Sequence, residues 1–229
     1  MKKMPLLLLI LVLSGCSSIK KQIELNKLKE VKYKVELKSP KIPIGDAEAQ
    51  VTTAFMGLKK VALKVSYSPA EDALCLEYKR NTVTYYQFFP KASRVLFLEA
   101  VDKYSQDYSD KKLVSSKTSK KQYGSKEGYL IWKLAKVSQS YSDNIDFYFG
   151  YMFKEKSPFF TITQGEAYSE NLFADKNERN ARTSGEIQLY FTRTQSMELA
   201  VYFEQQFLQS LTAAPEPGKT DSNVTYEAY

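Results

Sequence analysis

The chain has 229 residues, of which 43% are apolar and 26% are charged, as is ordinary for a folded protein with a sizeable core. It contains no histidine, which excludes Ser-His and Cys-His nucleophile pairs, histidine-ligated zinc and histidine general bases. The 17 Tyr and 13 Phe, against a single Trp, favour strands over helices.

The net charge of +7 is unevenly distributed along the chain. Lys2 and Lys3 account for two positive charges, and residues 19–41 hold eight Lys and three Glu, a net of +5. From residue 42 onward, 23 basic residues balance 23 acidic ones. We therefore expect the excess charge to serve adhesion to an anionic membrane surface, and we do not expect a nucleic-acid partner.

The first predicted element is a secretory signal peptide, residues 1–15. Lys2 and Lys3 precede an apolar run over residues 6–13, and the small residues Ser14 and Gly15 follow. The run is far shorter than the roughly 20 residues that a transmembrane helix requires.

The motif Leu13-Ser14-Gly15-Cys16 resembles the lipobox of bacterial lipoproteins. The resemblance implies that the Cys16 thiol receives a diacylglyceryl group, that the chain is cut before it, and that the new amino terminus is acylated. It places the protein in the bacterial cell envelope, held to the membrane by its lipid. Ser17 at the next position resembles lipoproteins sent to the outer membrane.

Residues 16–49 read as the lipidated Cys16 followed by a basic tether. Within them, Val31, Tyr33, Val35 and Leu37 alternate with charged residues, which indicates a half-buried strand or an extended arm.

The body is predicted to span residues 50–211, with possible halves at 50–110 and 128–211. In the first half, alternation predicts strands over 61–67 and 74–78. A third strand is predicted over 83–89, after a hairpin turn, and its aromatic residues indicate that both of its faces are covered. Pro90 then opens a helix, whose apolar stripe is Phe97, Val101, Tyr104 and Tyr108. Residues 110–126 carry six Lys and are expected to be a mobile, solvated connector rather than a binding patch.

The second half repeats this order. Strands are predicted over 128–138, 145–153, 158–164 and 186–192, with a turn at 142–144. Gly150 indicates a bulge or a close backbone approach. A helix over 196–211 has Met197, Val201, Phe207, Leu208 and Leu211 as its apolar positions, and the tail 212–229 is expected to be disordered.

These elements predict an α+β fold, mainly antiparallel sheet with two packed helices. A strands-then-helix unit recurs at an offset of 103 residues, where Phe97 matches Ala200 and Tyr104 matches Phe207. Identity between the halves is poor, so chance explains the match nearly as well as duplication does.

Several motifs resemble catalytic or metal sites but lack a feature that such a site requires. The Gly218-Lys219-Thr220 stretch lacks the first glycine of a phosphate-binding loop, and residues 175–186 put Arg179 where a calcium loop needs an oxygen. Ser-x-x-Lys spacings at 17–20 and 109–112 place Lys where it stays charged. Cys75 is read as a buried apolar residue.

Two acidic pairs remain, which could in principle cleave glycosides. They are Asp143 with Asp146 and Glu166 with Glu170.

We predict no enzyme, cofactor or metal, and a binding or scaffolding role with an envelope protein as partner. The alternative is a carrier of a hydrophobic ligand between sheet and helices, where aromatic strands leave a groove. An envelope hydrolase that uses carboxylates is the third hypothesis.

Overall fold

The computed structural model describes residues 39–52, 57–135, 140–169 and 183–212. The signal peptide, Cys16, the alternating residues 31–37 and the tail after residue 212 lie outside these ranges.

Within the described ranges, the chain forms ten strands, three α-helices and one 3-10 helix at Ser119–Lys121. The strands are β1 Ile42–Thr52, β2 Leu58–Ser68, β3 Ala73–Arg80, β4 Val83–Pro90, β5 Ser125–Leu134, β6 Ser140–Lys154, β7 Ser157–Gln164, β8 Ala167–Tyr168, β9 Thr183–Ser184 and β10 Ile187–Phe191. The helices are α1 Lys91–Ser109, α2 Arg193–Phe203 and α3 Gln205–Ser210. β1 therefore occupies the end of the range expected for the tether.

Eight of the strands close into an antiparallel barrel, in the order β1-β10-β7-β6-β5-β4-β3-β2. β1 closes it by pairing with β2 along its length and with β10 at Gln50–Tyr190 and Val51–Leu189. The predicted α+β layout of an open sheet with two packed helices is thus wrong. Local alternation predicts that a strand exists, whereas closure depends on pairing between the two ends of the described chain.

The barrel interior is filled by the apolar positions of the alternating strands. Its buried residues include Leu63, Val65, Leu74, Leu76, Phe147, Phe149, Ile162 and Leu189. Tight turns fix the register of two hairpins, because Asn81 and Glu155 have positive φ values of 56°. On β4 both faces are buried, as predicted, since Phe89 faces the interior and Phe88 the exterior.

The helices pack at the end of the barrel where β4 and β10 end. The Phe97 ring of α1 stacks on Phe203 of α2 at 3.9 Å between centroids, and it also meets Phe149 and Phe160. Tyr104 anchors α1 further by donating a hydrogen bond to the Pro158 carbonyl at 2.9 Å. The interior core and the helices thus form one apolar cluster.

The predicted helix over 196–211 is two helices. Glu204 has extended backbone dihedrals, φ −66° and ψ 129°, and separates α2 from α3. The seven-residue spacing of Val201 and Leu208 therefore does not place them on one face: Leu208 is fully buried, whereas Val201 is 50% exposed. Met197 is similarly exposed.

The strand-then-helix units begin at equivalent points 102 residues apart, not 103. Pro90 and Thr192 precede α1 and α2 with nearly the same dihedrals, φ −62° and ψ 166° against φ −62° and ψ 165°. At this offset the buried Phe97 matches Leu199, and Val101 matches Phe203. The helices thus bury corresponding positions.

Two further predictions are corrected. Residues 142–144 are not a turn but lie within β6, which pairs with β5 from Ser140 onward. Residues 110–126 are not a free connector, because Tyr123 N–H donates to the Phe149 carbonyl at 3.0 Å and the 3-10 helix lies against β6. Gly150 permits this contact: a Cβ there would collide with the Ser119 carbonyl oxygen. The predicted close backbone approach at Gly150 is confirmed.

Candidate functional site

The sequence-predicted lipidation site, Cys16, lies outside the described residues, so lipidation stays a prediction. Cys75 is described and buried on the outward-facing side of β3. Burial raises the pKa of its thiol to about 12. The nucleophilic thiolate is therefore scarce near neutral pH, and Cys75 is a packing residue as predicted.

The acidic pairs do not converge on one site. Asp143 and Asp146 are three residues apart on β6, which puts their side chains on opposite faces of the strand. Asp143 accepts a hydrogen bond from the Tyr168 N–H at 2.8 Å, while Asp146 is exposed. Glu170 lies outside the described residues.

The Ser-x-x-Lys spacing at residues 109–112 does not form a catalytic pair either. Ser109 donates to the Ser105 carbonyl at 3.0 Å, and Lys112 pairs with Asp110 at 2.7 Å, so the two do not pair with each other. The hydrogen bond to Asp110 raises the pKa of Lys112, which keeps it charged. Residues 17–20, most of 175–186 and residues 218–220 are outside the described ranges.

The barrel interior contains a buried polar cluster that the sequence analysis did not predict. We define the polar cluster as Tyr78, Gln87, Gln164 and Ser184, all nearly inaccessible to solvent. Gln87 Nε2 donates to the Tyr78 hydroxyl at 3.0 Å and to Gln164 Oε1 at 2.8 Å. Gln164 Nε2 in turn donates to Ser184 Oγ at 3.0 Å. Four strands, β3, β4, β7 and β9, thus meet through side-chain hydrogen bonds.

One atom of the polar cluster lacks a partner. Gln87 Oε1 is buried and accepts no hydrogen bond among the described residues, although such groups are normally satisfied. The signal for this site was visible, because Gln87 interrupts the aromatic run Tyr85-Tyr86-Gln87-Phe88-Phe89. Its partners were not predictable, since Gln164 is 77 residues away along the chain.

Aromatic rings surround the polar cluster. Tyr78 stacks on Tyr85 with 5.4 Å between centroids, and Trp132 stacks on Tyr141 at 6.0 Å. Desolvation by burial raises the pKa of Tyr78 well above its ordinary value, and it raises the pKa of Tyr85 as well. Both phenols therefore stay neutral near pH 7, so the cluster offers hydrogen bonds and no base for proton abstraction.

A small cleft opens at the end of the barrel that lies opposite the helices, where β1 and β3 end and β10 begins. Its volume is about 90 Å³, and its lining residues are Val51, Thr52, Arg80, Glu186, Ile187 and Gln188. Arg80 Nη2 donates a single long hydrogen bond, 3.4 Å, to the Thr52 carbonyl, so most of its donors are not used by described residues. Glu186 is paired with Lys120. The guanidinium is therefore the free charge at the cleft among the described residues.

Among the described residues, no group of three or more His, Cys, Asp or Glu side chains is placed to hold a metal ion. None of the helices in that part of the chain is long and apolar enough to cross a membrane.

A known protein family matches most of the chain. The family described as "Uncharacterised Treponema protein" matches residues 19–210, most of the chain. No curated protein and no solved structure matches.

Proposed function

The chain belongs to this family of uncharacterised Treponema proteins, and we propose that it is a lipid-anchored lipoprotein of the bacterial cell envelope with a non-catalytic binding role. The lipid anchor rests on the motif Leu13-Ser14-Gly15-Cys16, and Ser17 favours the outer membrane. The binding surface we assign is the cleft end of the barrel. Its occupant on this proposal is an envelope protein.

The observation that carries the binding role is the Arg80 guanidinium at the cleft. Among the described residues it donates one long hydrogen bond, to the Thr52 carbonyl, and its other donors suit a carboxylate on the partner. The polar cluster is too deeply buried to contact a partner, and its two amides, phenol and hydroxyl are neutral near pH 7.

The carrier hypothesis has less support from the geometry. The space between sheet and helices is occupied by fully buried rings, among them Phe97, Phe149 and Phe160. The hydrolase hypothesis has the least support from the geometry, because Asp143 and Asp146 face opposite sides of β6.

Metabolic fatty-acid labelling tests the anchor. Cys16→Ala should abolish labelling and leave the signal peptide uncleaved, because the thiol at the lipobox position is the acceptor. Cys75→Ala is the matched control and should label like the wild type, since Cys75 is buried. A Cys16→Ala protein that still incorporates fatty acid contradicts the proposal.

Site-specific photo-cross-linking in intact cells tests the binding surface. A photoreactive residue at the exposed Thr82, in the turn next to Arg80, should capture an envelope protein, whereas one at the exposed Glu198 on α2 should not. Arg80→Gln should then remove the adduct at Thr82, and Lys79→Gln should leave it. Adducts that form only at Glu198, or that survive Arg80→Gln, would place the partner elsewhere.

A further inference from the structure

The strongest charge asymmetry of the barrel lies in residues 110–126, here called the lysine segment. It contains Lys111, Lys112, Lys117, Lys120, Lys121 and Lys126 against one acidic residue, Asp110. Its net charge is +5, and because residues 42–229 balance overall, the rest of that range carries −5. The positive charge of the body is thus concentrated on one stretch.

Most of these lysines are not neutralised within the described part of the chain. Lys112 pairs with Asp110, and Lys120 pairs with Glu186. Lys111, Lys117 and Lys126 are exposed, and the ion pairs between described residues do not include them. Lys121 lies 3.8 Å from the centroid of the Tyr148 ring, a cation–π contact that keeps its charge at the surface.

The barrel holds the lysine segment in place. The Tyr151 hydroxyl accepts a hydrogen bond from the Val114 N–H at 3.3 Å and donates one to the Val114 carbonyl at 3.1 Å. Ser119 Oγ donates to the same carbonyl at 3.3 Å. The backbone at Val114 is therefore held against β6.

An apolar side chain projects from the middle of this charge. Val114 is 69% exposed, while its neighbour Leu113 packs against the core. Lysines stand on both sides of Val114, at positions 112 and 117. An exposed apolar residue flanked by lysines is the pattern of a surface that rests in the interface of an anionic bilayer, where the apolar group enters and the ammonium groups meet lipid headgroups.

We propose that the lysine segment is a second membrane contact, which docks the barrel on anionic lipid headgroups with Val114 inserted. The inference rests on the lipid anchor of the proposed function and adds orientation to it. A second contact at the lysine segment would fix which side of the barrel faces the bilayer.

Vesicle co-sedimentation tests the charge. The probe is a lipid-free chain of residues 16–229 carrying Cys16→Ser, mixed with phosphatidylcholine vesicles with or without 30% phosphatidylglycerol. The triple variant Lys111→Gln, Lys117→Gln, Lys126→Gln should bind the anionic vesicles about 10- to 100-fold more weakly than the parent. The tether lysines are the same in every variant.

A matched control separates position from net charge. Lys59, Lys91 and Lys133 are exposed lysines outside the segment, and changing these three to Gln removes the same charge. This control should lose no more than about threefold in affinity, because its lysines lie away from the contact. Equal losses in the two triple variants, or no binding of the parent to anionic vesicles, would overturn the proposal.

A fluorescent label tests insertion. Val114→Cys labelled with an environment-sensitive dye should shift to the blue with anionic vesicles and not with phosphatidylcholine alone. The control label is Val201→Cys, on an equally apolar side chain that is 50% exposed on α2. A shift at position 201, or its absence at 114, contradicts the assigned orientation. Because these chains carry no lipid, either result is independent of the Cys16 labelling experiment.

Discussion

Arg94 is the most constrained charged residue that the structure describes. It is 1% exposed, yet it lies where the β2–β3 turn, α1 and α3 meet. Its guanidinium donates to the Asp72 carboxylate at 2.7 Å, to the Asp72 carbonyl, and to Gln205 Oε1 at 2.6 Å. Asp72 has a positive φ of 45°, and its carboxylate also accepts from the Tyr67 hydroxyl at 2.9 Å. One side chain thus joins three elements.

Removing the Arg94 guanidinium should therefore destabilise the barrel. Arg94→Met keeps much of the side-chain volume and loses the hydrogen bonds, at an expected cost of about 2–4 kcal/mol in the free energy of unfolding. Part of the ion pair is screened, because the Asp72 side chain is 43% exposed. Urea denaturation of the lipid-free chain measures the difference.

Lys103→Met is the matched control for Arg94. Lys103 lies on the same helix and pairs with Asp107 at 2.9 Å, but it is 55% exposed. Its loss should cost less than about 1 kcal/mol. Equal costs at positions 94 and 103 would show that the buried contacts of Arg94 contribute no more than a surface ion pair.

At the scale of single elements, the break at Glu204 decides which apolar residues hold the C-terminal helices. A continuous helix would put Val201 and Leu208 on one face. With the break, α2 packs through Ser196, Leu199 and Phe203, and α3 through Leu208. The capping box at Thr192 and Gln195, with bonds of 2.9 and 3.2 Å, fixes where α2 begins.

This packing predicts unequal effects for two similar truncations. Leu208→Ala should lower the free energy of unfolding by about 2–5 kcal/mol, because a fully buried side chain leaves a cavity. Val201→Ala should cost less than about 1 kcal/mol, since half of Val201 already faces solvent. Urea melts of the two variants and the parent measure both. Similar losses would mean that α2 and α3 act as one continuous helix in solution.

Patterns of short range were predictable from the sequence, and pairings of long range were not. β2 and β3 were predicted because Val61 to Tyr67 and Leu74 to Tyr78 alternate within a few residues. β6 was predicted to begin five residues too late, because Ser142, Asp143 and Asn144 resemble a turn. Those polar side chains are tolerated there because β5 supplies the backbone partners.

At the scale of the whole molecule, most of the features that could not be predicted from the sequence depend on closure of the barrel. Val51 pairs with Leu189, which closes the barrel across 138 positions of the chain. The polar cluster depends on the same closure, since Gln87 and Gln164 come together only when β4 and β7 face each other across the interior. A candidate site made by topology leaves only a weak local mark, here a Gln within an aromatic run.

Folding also buries phenols, wholly or in part, and this predicts how the stability of the whole barrel depends on pH. Burial is the main cause that raises the pKa values of seven tyrosines: Tyr67, Tyr78, Tyr85, Tyr86, Tyr104, Tyr123 and Tyr129. Burial likewise raises the pKa of Cys75 to about 12. In the unfolded chain these groups regain ordinary values, about 10 for Tyr and about 8.5 for Cys.

At a pH between the unfolded-state and the folded-state pKa values, the folded state holds more protons than the unfolded state. The free energy of unfolding must therefore fall as pH rises. It should stay nearly constant from pH 7 to about 8.5, then decrease, and unfolding should accompany the ionisation of the buried phenols.

Spectrophotometric titration of the lipid-free chain at 295 nm measures the ionisation of the phenols, and circular dichroism measures the loss of structure. In urea, all 17 tyrosines should titrate together near pH 10. If the seven tyrosines named above titrate near pH 10 while the barrel remains folded, burial does not raise their pKa values.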